Sequence, residues 1–146
     1  MPMNTKHLGA IAVAHAVSHF SNAGYYIFLP LGDNGGDTDM IVSNDGRAMQ
    51  RVQCKYTASR HTASELRDHK NPVWQVNLRM MKSRLKSKAR CIYTAESFDL
   101  LFVTTPSGDY LIDWRSLCAK EIPRTIRIGK KLAHALLQPP ANKEKL

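Results

Sequence analysis

No acidic residue occurs before Asp33, and across 146 residues only 12 Asp and Glu stand against 21 Lys and Arg. A chain so short of negative charge, net +9, suits a polyanionic partner, because each Lys or Arg set against phosphate releases condensed counterions. Nucleic acid leads, and an anionic membrane surface follows. Cysteine is scarce as well. Cys54, Cys91 and Cys118 are odd in number and widely spaced without a CxxC pair, which argues against a secreted disulfide framework and a zinc knuckle and favours a reducing cytoplasm. No apolar run approaches the roughly 18 residues of a membrane span, since the richest, Leu8 to Val17, is interrupted by His15. Its faint likeness to a signal peptide is weaker than its continuation as a helix. Neither a GxSxG elbow nor a GxxxxGK[ST] loop is present, which dismisses serine hydrolase and P-loop NTPase chemistry. Repeats, low-complexity segments and Gly/Ser linkers are missing too.

What remains is enough for one globular domain with its own core, expected over residues 1–138, with 139–146 after Pro139-Pro140 as a flexible tail. Charge divides the chain. Residues 1–50 hold two basic and four acidic groups, 51–100 hold eleven and four, and 101–146 hold eight and four. The acidic and basic parts therefore differ in job.

Periodicity and turn chemistry predict the elements. Thr5 is a plausible N-cap, Leu8, Ile11, Ala12, His15, Ala16 and Phe20 recur at helical spacing, and Asn22-Ala23-Gly24 stops the helix. Tyr25 to Leu29 reads as a strand that ends at Pro30. Asp39 to Ser43 and Met49 to Tyr56 read as a hairpin about Asn44-Asp45-Gly46. Further strands are expected at Val73 to Leu78, at Leu100 to Thr104 and Tyr110 to Ile112 around a Pro106 to Asp109 turn, and at Ile126 to Ile128, with a terminal helix over Lys130 to Gln138.

The chemistry concentrates in the first hairpin. Asp39 opens one strand and Gln53-Cys54-Lys55 closes the other, so antiparallel pairing brings them to one sheet end, with Gln53 and Lys55 on a common face. Phosphodiester hydrolysis needs an oxygen ligand for a hard cation, a positive group near the attacking water, and a group that orients that water. Asp39, Lys55 and Gln53 can supply the three.

Thr5-Lys6-x-x-Gly9, Gly24-Tyr25, Leu29-Pro30-Leu31-Gly32-Asp33, Asp39-Met40-Ile41-Val42, Asp45-Gly46 and Arg51-Val52-Gln53-Cys54-Lys55, in that order, resemble the PD-(D/E)XK nuclease superfamily. The resemblance is closest to the group I intron-encoded homing endonucleases, in which Gln can replace the second acid ahead of Lys. It covers roughly residues 4–57, and more loosely the Phe98 to Trp114 hairpin. It implies an α/β restriction-endonuclease-like core with a mixed central β-sheet flanked by helices. It further implies Mg²⁺, or Mn²⁺ in its place, held by Asp39 and the backbone carbonyl of Cys54, with Lys55 positioning or activating the attacking water and Gln53 binding a water or a ligand of the metal. Double-stranded DNA is the implied partner, cut by a homodimer or homotetramer because each site cuts one strand. One departure matters: the family's first-helix Glu, in a Gly-Glu pattern, maps onto Gly9-Ala10, so Ala10 stands where the acid belongs and cleavage is expected to be impaired. Asp37, two residues before Asp39, is a poor geometric substitute. The alternatives are a Holliday junction resolvase and a catalytically decayed DNA-binding protein.

Bland readings account for other polar groups. Asp39 and Lys55 taken without the wider motif are a surface ion pair. Asp33, Asn34, Asp37 and Asp45 serve turns. His15 and His19 lie one helical turn apart but lack a third ligand or an HExxH pattern. The cysteines read as small buried hydrophobes. Arg79, Lys82, Arg84, Lys86, Lys88 and Arg90 form an acid-free run in which the five from Lys82 onward fall on every second residue, so an extended conformation projects them from one side along a phosphate backbone. Gln75, Asn77 and Arg79, taken on one strand face, are the candidates for base-edge contacts.

Overall fold

The computed structural model describes residues 4–32, 37–60, 73–81, 90–129, 135 and 137. The elements are α1 (Thr5–Asn22), β1 (Tyr26–Phe28), β2 (Met40–Ser43), β3 (Gln50–Tyr56), β4 (Trp74–Asn77), β5 (Arg79–Met81), β6 (Arg90–Ile92), β7 (Leu100–Thr105), β8 (Gly108–Asp113), α2 (Trp114–Leu117) and β9 (Thr125–Ile128). Asn4, rather than Thr5, caps α1, its side chain accepting from the Lys6 N–H at 3.1 Å. The helix begins one residue earlier than expected because Asn4 already holds extended backbone and can turn its amide onto the first orphan donors. Its buried stripe is Ala12, Ala16 and Phe20, spaced one turn apart.

A mixed five-stranded sheet runs in the order β1-β2-β3-β7-β8, antiparallel except for the parallel pair β3 and β7. The β2–β3 hairpin turns where Asp45 accepts from the N–H groups of Arg47 and Ala48 at 2.7 and 2.9 Å, and where Gly46 takes φ +76°. Asp45 is therefore a turn residue, as the sequence suggested. The two faces of the sheet carry separate cores. Ala12, Ala16 and Phe20 of α1 meet Met40, Val42, Val52, Cys54 and Phe102 on one face. On the other, Leu101, Val103 and Ile112 meet Trp74, Val76, Ile126 and Ile128 of the antiparallel β4–β9 ribbon, together with Trp114 of α2. Leu101 and Val103 thus face away from Phe102, as period-two alternation requires.

Three expectations change on this scaffold. The strand expected over Val73 to Leu78 is narrower, Trp74 to Asn77, with the buried Leu78 still donating its N–H to the Arg124 carbonyl at 3.1 Å in register with the β4–β9 ladder. Arg79 lies on a separate strand, β5, opposite Ile92 of β6, in a different two-stranded sheet from Gln75 and Asn77. Asp113 caps the short α2, which the sequence reading did not place. Lys82, Arg84, Lys86 and Lys88, and all of the expected terminal helix except positions 135 and 137, lie outside the described residues. No described helix is long and apolar enough to cross a membrane.

Candidate active site

Register brings the sequence-selected residues together. Met40 pairs with Val52, so Asp39, one step before β2, reaches the chain beyond it: its N–H donates to the Val52 carbonyl at 2.9 Å and its Oδ2 accepts from the Cys54 N–H at 2.7 Å. That short charge-assisted bond fixes the carboxylate beside the Gln53-Cys54-Lys55 strand end. Gln53 and Lys55 pair with Leu101 and Val103 across the parallel ladder and share their face of the sheet. Cys54 points the other way, into the α1 core, where burial and then the Asp39 charge push its thiol far above the ordinary range and leave it unreactive.

Asp39, Gln53, Cys54, Lys55 and Tyr56 line a cleft of about 370 Å³ with Thr5, Leu8, Gly9 and Val13 of α1. Gly9, not Ala10, is the helix position at this cleft; Ala10 is exposed and is not among its lining residues. Each residue advances the helix by about 100°, so Thr5, Gly9 and Val13 form one stripe and Ala10 turns off it. The structure therefore does not bring Ala10 together with Asp39 and Lys55. A Cβ built on Gly9 would meet nothing within 4 Å, so this wall has open room for a side chain.

Burial holds the Lys55 ammonium below its ordinary pKa, while the nearby Asp39 and Asp37 carboxylates oppose that shift. Asp37, read from the sequence as a turn residue, thus joins the field of the site. Gln53 is only 7% exposed; its Nε2 makes a long contact of 3.4 Å to the Cys54 carbonyl, and its Oε1 is buried with no hydrogen-bond partner. Tyr93, absent from the sequence-level candidates, borders the same face with its ring centroid 5.4 Å from the Lys55 Nζ. Its only local signal was an aromatic residue just after a basic run. Chain distance hid it.

Of the residues set aside for DNA contact, Gln75 is half-buried and Asn77 exposed on β4, while Arg79 and Arg90 lie on the antiparallel strands β5 and β6, with Arg90 opposite Met81, so the basic run is not one continuous extended strand as the sequence suggested. His15 Nδ1 pairs with Asp109 at 3.1 Å, and His19 packs edge-on against Phe20 at 5.1 Å, so both have structural duties. Among the described residues no group of three or more His, Cys, Asp or Glu is arranged to hold a metal.

A sequence model for the PD-(D/E)XK endonuclease matches residues 3–114. The solved structure of a bacterial homing endonuclease, I-Ssp6803I, superposes with a TM-score of 0.64 at 16% identity, covering 99% of this chain and 85% of that one. No curated protein sequence matches the chain.

Proposed function

We infer that this chain, which belongs to the PD-(D/E)XK endonuclease family, is a metal-dependent homing-type endonuclease that hydrolyses phosphodiester bonds at a defined site in double-stranded DNA. The observation that carries the reading is the clasp between Asp39 and the Cys54 N–H, which sets a carboxylate, a carboxamide and an ammonium at one strand end. The homing type draws support from the structural neighbour, which is a homing endonuclease.

The donor set fits a hard divalent ion. The Asp39 carboxylate and the Cys54 carbonyl suit Mg²⁺, or Mn²⁺ in its place, which keeps several waters when bound by one or two carboxylates. The orphaned Gln53 Oε1 needs a donor, and a water of such an ion's shell provides one. When bound, the ion supplies Lewis-acid stabilisation of the charge that builds on the phosphate. Gln53 orients the attacking water, and Lys55 sets a positive charge beside it. The first turn of α1 carries no acid, so the positive end of its dipole meets the cleft uncompensated and favours a phosphate. Arg79 and Arg90 of the β5–β6 ribbon, with the basic Lys82, Arg84, Lys86 and Lys88 between them, supply phosphate contacts, and Gln75 and Asn77 reach base edges.

Cutting is impaired, because neither Gly9 nor Ala10 offers the first-helix carboxylate and a single acid holds the ion weakly. The same shortage favours a second reading, a DNA-binding protein whose nuclease site has decayed. Two copies are needed to cut both strands, and the exposed Tyr26, Phe28 and Leu31 along the β1 edge, at 59, 49 and 98% exposure, supply apolar surface for self-association as a dimer or tetramer.

Cleavage of a randomised duplex library and of a four-way junction in Mg²⁺ and Mn²⁺ tests the reading, with Lys55→Ala alongside. Cutting at a defined duplex sequence that Lys55→Ala abolishes is the expected result. Sequence-independent cutting of the junction would make the protein a resolvase. Tight binding without cutting would leave a DNA-binding scaffold.

A further inference from the structure

Tyr93 sits directly after β6, outside every motif, yet it is built into the site more firmly than its place in the chain suggests. Its ring is 2% exposed and stands edge-on to Phe98 at 5.0 Å and 83°, and to Trp114 at 6.2 Å and 83°. Trp114 in turn donates its Nε1 hydrogen to the carbonyl of Thr94, the next residue, at 2.9 Å. The ring is thereby held from two sides, and the backbone of the next residue is anchored as well.

Against this wall lies the Lys55 ammonium, 5.4 Å from the ring centroid, inside the roughly 6 Å over which the ring quadrupole attracts a cation. Among the described residues three buried side-chain polar atoms lack a hydrogen-bond partner: Gln53 Oε1, the Tyr93 hydroxyl and Thr104 Oγ1. Thr104 pairs with Tyr56 and so faces the α1 side. The other two belong to the Lys55 face. One is an acceptor only and the other can donate, which is the pair a single water satisfies at once.

Resting on the nuclease reading, we propose that Tyr93 is a positioning residue for hydrolysis, its ring seating the Lys55 ammonium and its hydroxyl sharing with Gln53 Oε1 the water that attacks phosphorus. The water accepts a hydrogen from the phenol and gives one to the carboxamide oxygen. In the step the water oxygen forms the new bond to phosphorus as the bond to the leaving sugar oxygen breaks. The water's proton passes to solvent and the leaving oxygen takes one from solvent, so Tyr93 begins and ends as a neutral phenol.

Tyr93→Phe and Tyr93→Leu separate the two roles. Tyr93→Phe removes a hydroxyl that has no protein partner, so its thermal midpoint is expected to equal or exceed that of the unmodified chain, while kcat falls by about tenfold to a hundredfold at unchanged KM. Tyr93→Leu removes the ring as well, and its kcat is expected to fall at least about tenfold below that of Tyr93→Phe, again at unchanged KM. Undiminished cleavage by Tyr93→Phe would overturn the hydroxyl's part, and a kcat in Tyr93→Leu no lower than in Tyr93→Phe would overturn the ring's. Absence of cleavage by the unmodified chain would overturn the nuclease reading and both parts with it, whereas cleavage that both variants retain in full would overturn the proposal alone.

Discussion

Gly9→Glu is expected to restore a second carboxylate to the cleft, whereas Ala10→Glu is not, although the family pattern points to position 10. Gly9 lines the cleft with Asp39 and Lys55 and has open room where its Cβ would stand. Ala10 is exposed off that stripe. Both variants keep α1: replacing a helical Gly by Glu gains about 0.5 kcal/mol of propensity and replacing Ala by Glu loses about 0.4 kcal/mol. For a chain of this size those changes move the melting temperature by only a degree or two, about 2 °C at most. The effect on ion binding is larger. Two unit charges about 4 Å apart interact by roughly 4 kcal/mol at an effective dielectric near 20, before desolvation is subtracted. A tenfold gain in affinity needs only about 1.4 kcal/mol of that. Titration calorimetry with Mg²⁺ and Mn²⁺ should therefore show Gly9→Glu binding at least about tenfold more tightly than the unmodified chain, with cleavage rising in parallel and Ala10→Glu unchanged. Tighter binding in Ala10→Glu with none in Gly9→Glu would refute the helix register argued for this cleft.

Asp39→Asn keeps an acceptor for the Cys54 N–H, so it should melt close to the unmodified chain yet lose ion binding, while Asp39→Ala should also lose about 1–3 kcal/mol from the stranded N–H, read by urea denaturation. Trp114→Ala should cost about 3–5 kcal/mol by calorimetry, since it empties a fully buried site that packs on Phe98 at 4.6 Å and anchors Thr94. Burial alone would raise the Asp99 carboxyl, but the Arg51 N–H and guanidinium together with Arg115 outweigh it and hold the group below the usual range. A carboxyl depressed in the folded state adds stability above its unfolded pKa, and that stability is lost as pH falls through the folded value. The urea midpoint should thus drop below about pH 4, and drop less in Asp99→Asn. Neutralising Lys82, Arg84 and Lys86 together should flatten the log–log salt dependence of DNA binding by about 3; an unchanged slope would show that these groups do not meet phosphate.

Local rules made α1 and the hairpin legible, because a repeated apolar stripe and an Asx-Gly turn each act within a few residues. The hairpin pairing follows from the same rules and brings Asp39 to the sheet end that holds Gln53, Cys54 and Lys55. Reading failed where partners are distant in the chain. At Leu78 the chain changes partners, from β9 on one side to β6 on the other, and both partners are remote in sequence. Arg79 was grouped with Gln75 and Asn77 because alternation was counted across that change.

The amino-acid order by itself determined the charge asymmetry, the first helix, the hairpin and the residue types at its open end, because composition and short-range spacing are properties of the chain alone. Tertiary structure decided which face of α1 meets the cleft, and so that Gly9 rather than Ala10 stands there. It also decided that the Lys55 ammonium comes to 5.4 Å from the Tyr93 ring centroid, and that the Phe98 and Trp114 rings hold Tyr93 in place. Those choices depend on how a helix rolls on a sheet and how a distant strand returns to cover it, and such packing is settled only when the two faces of the sheet are filled together.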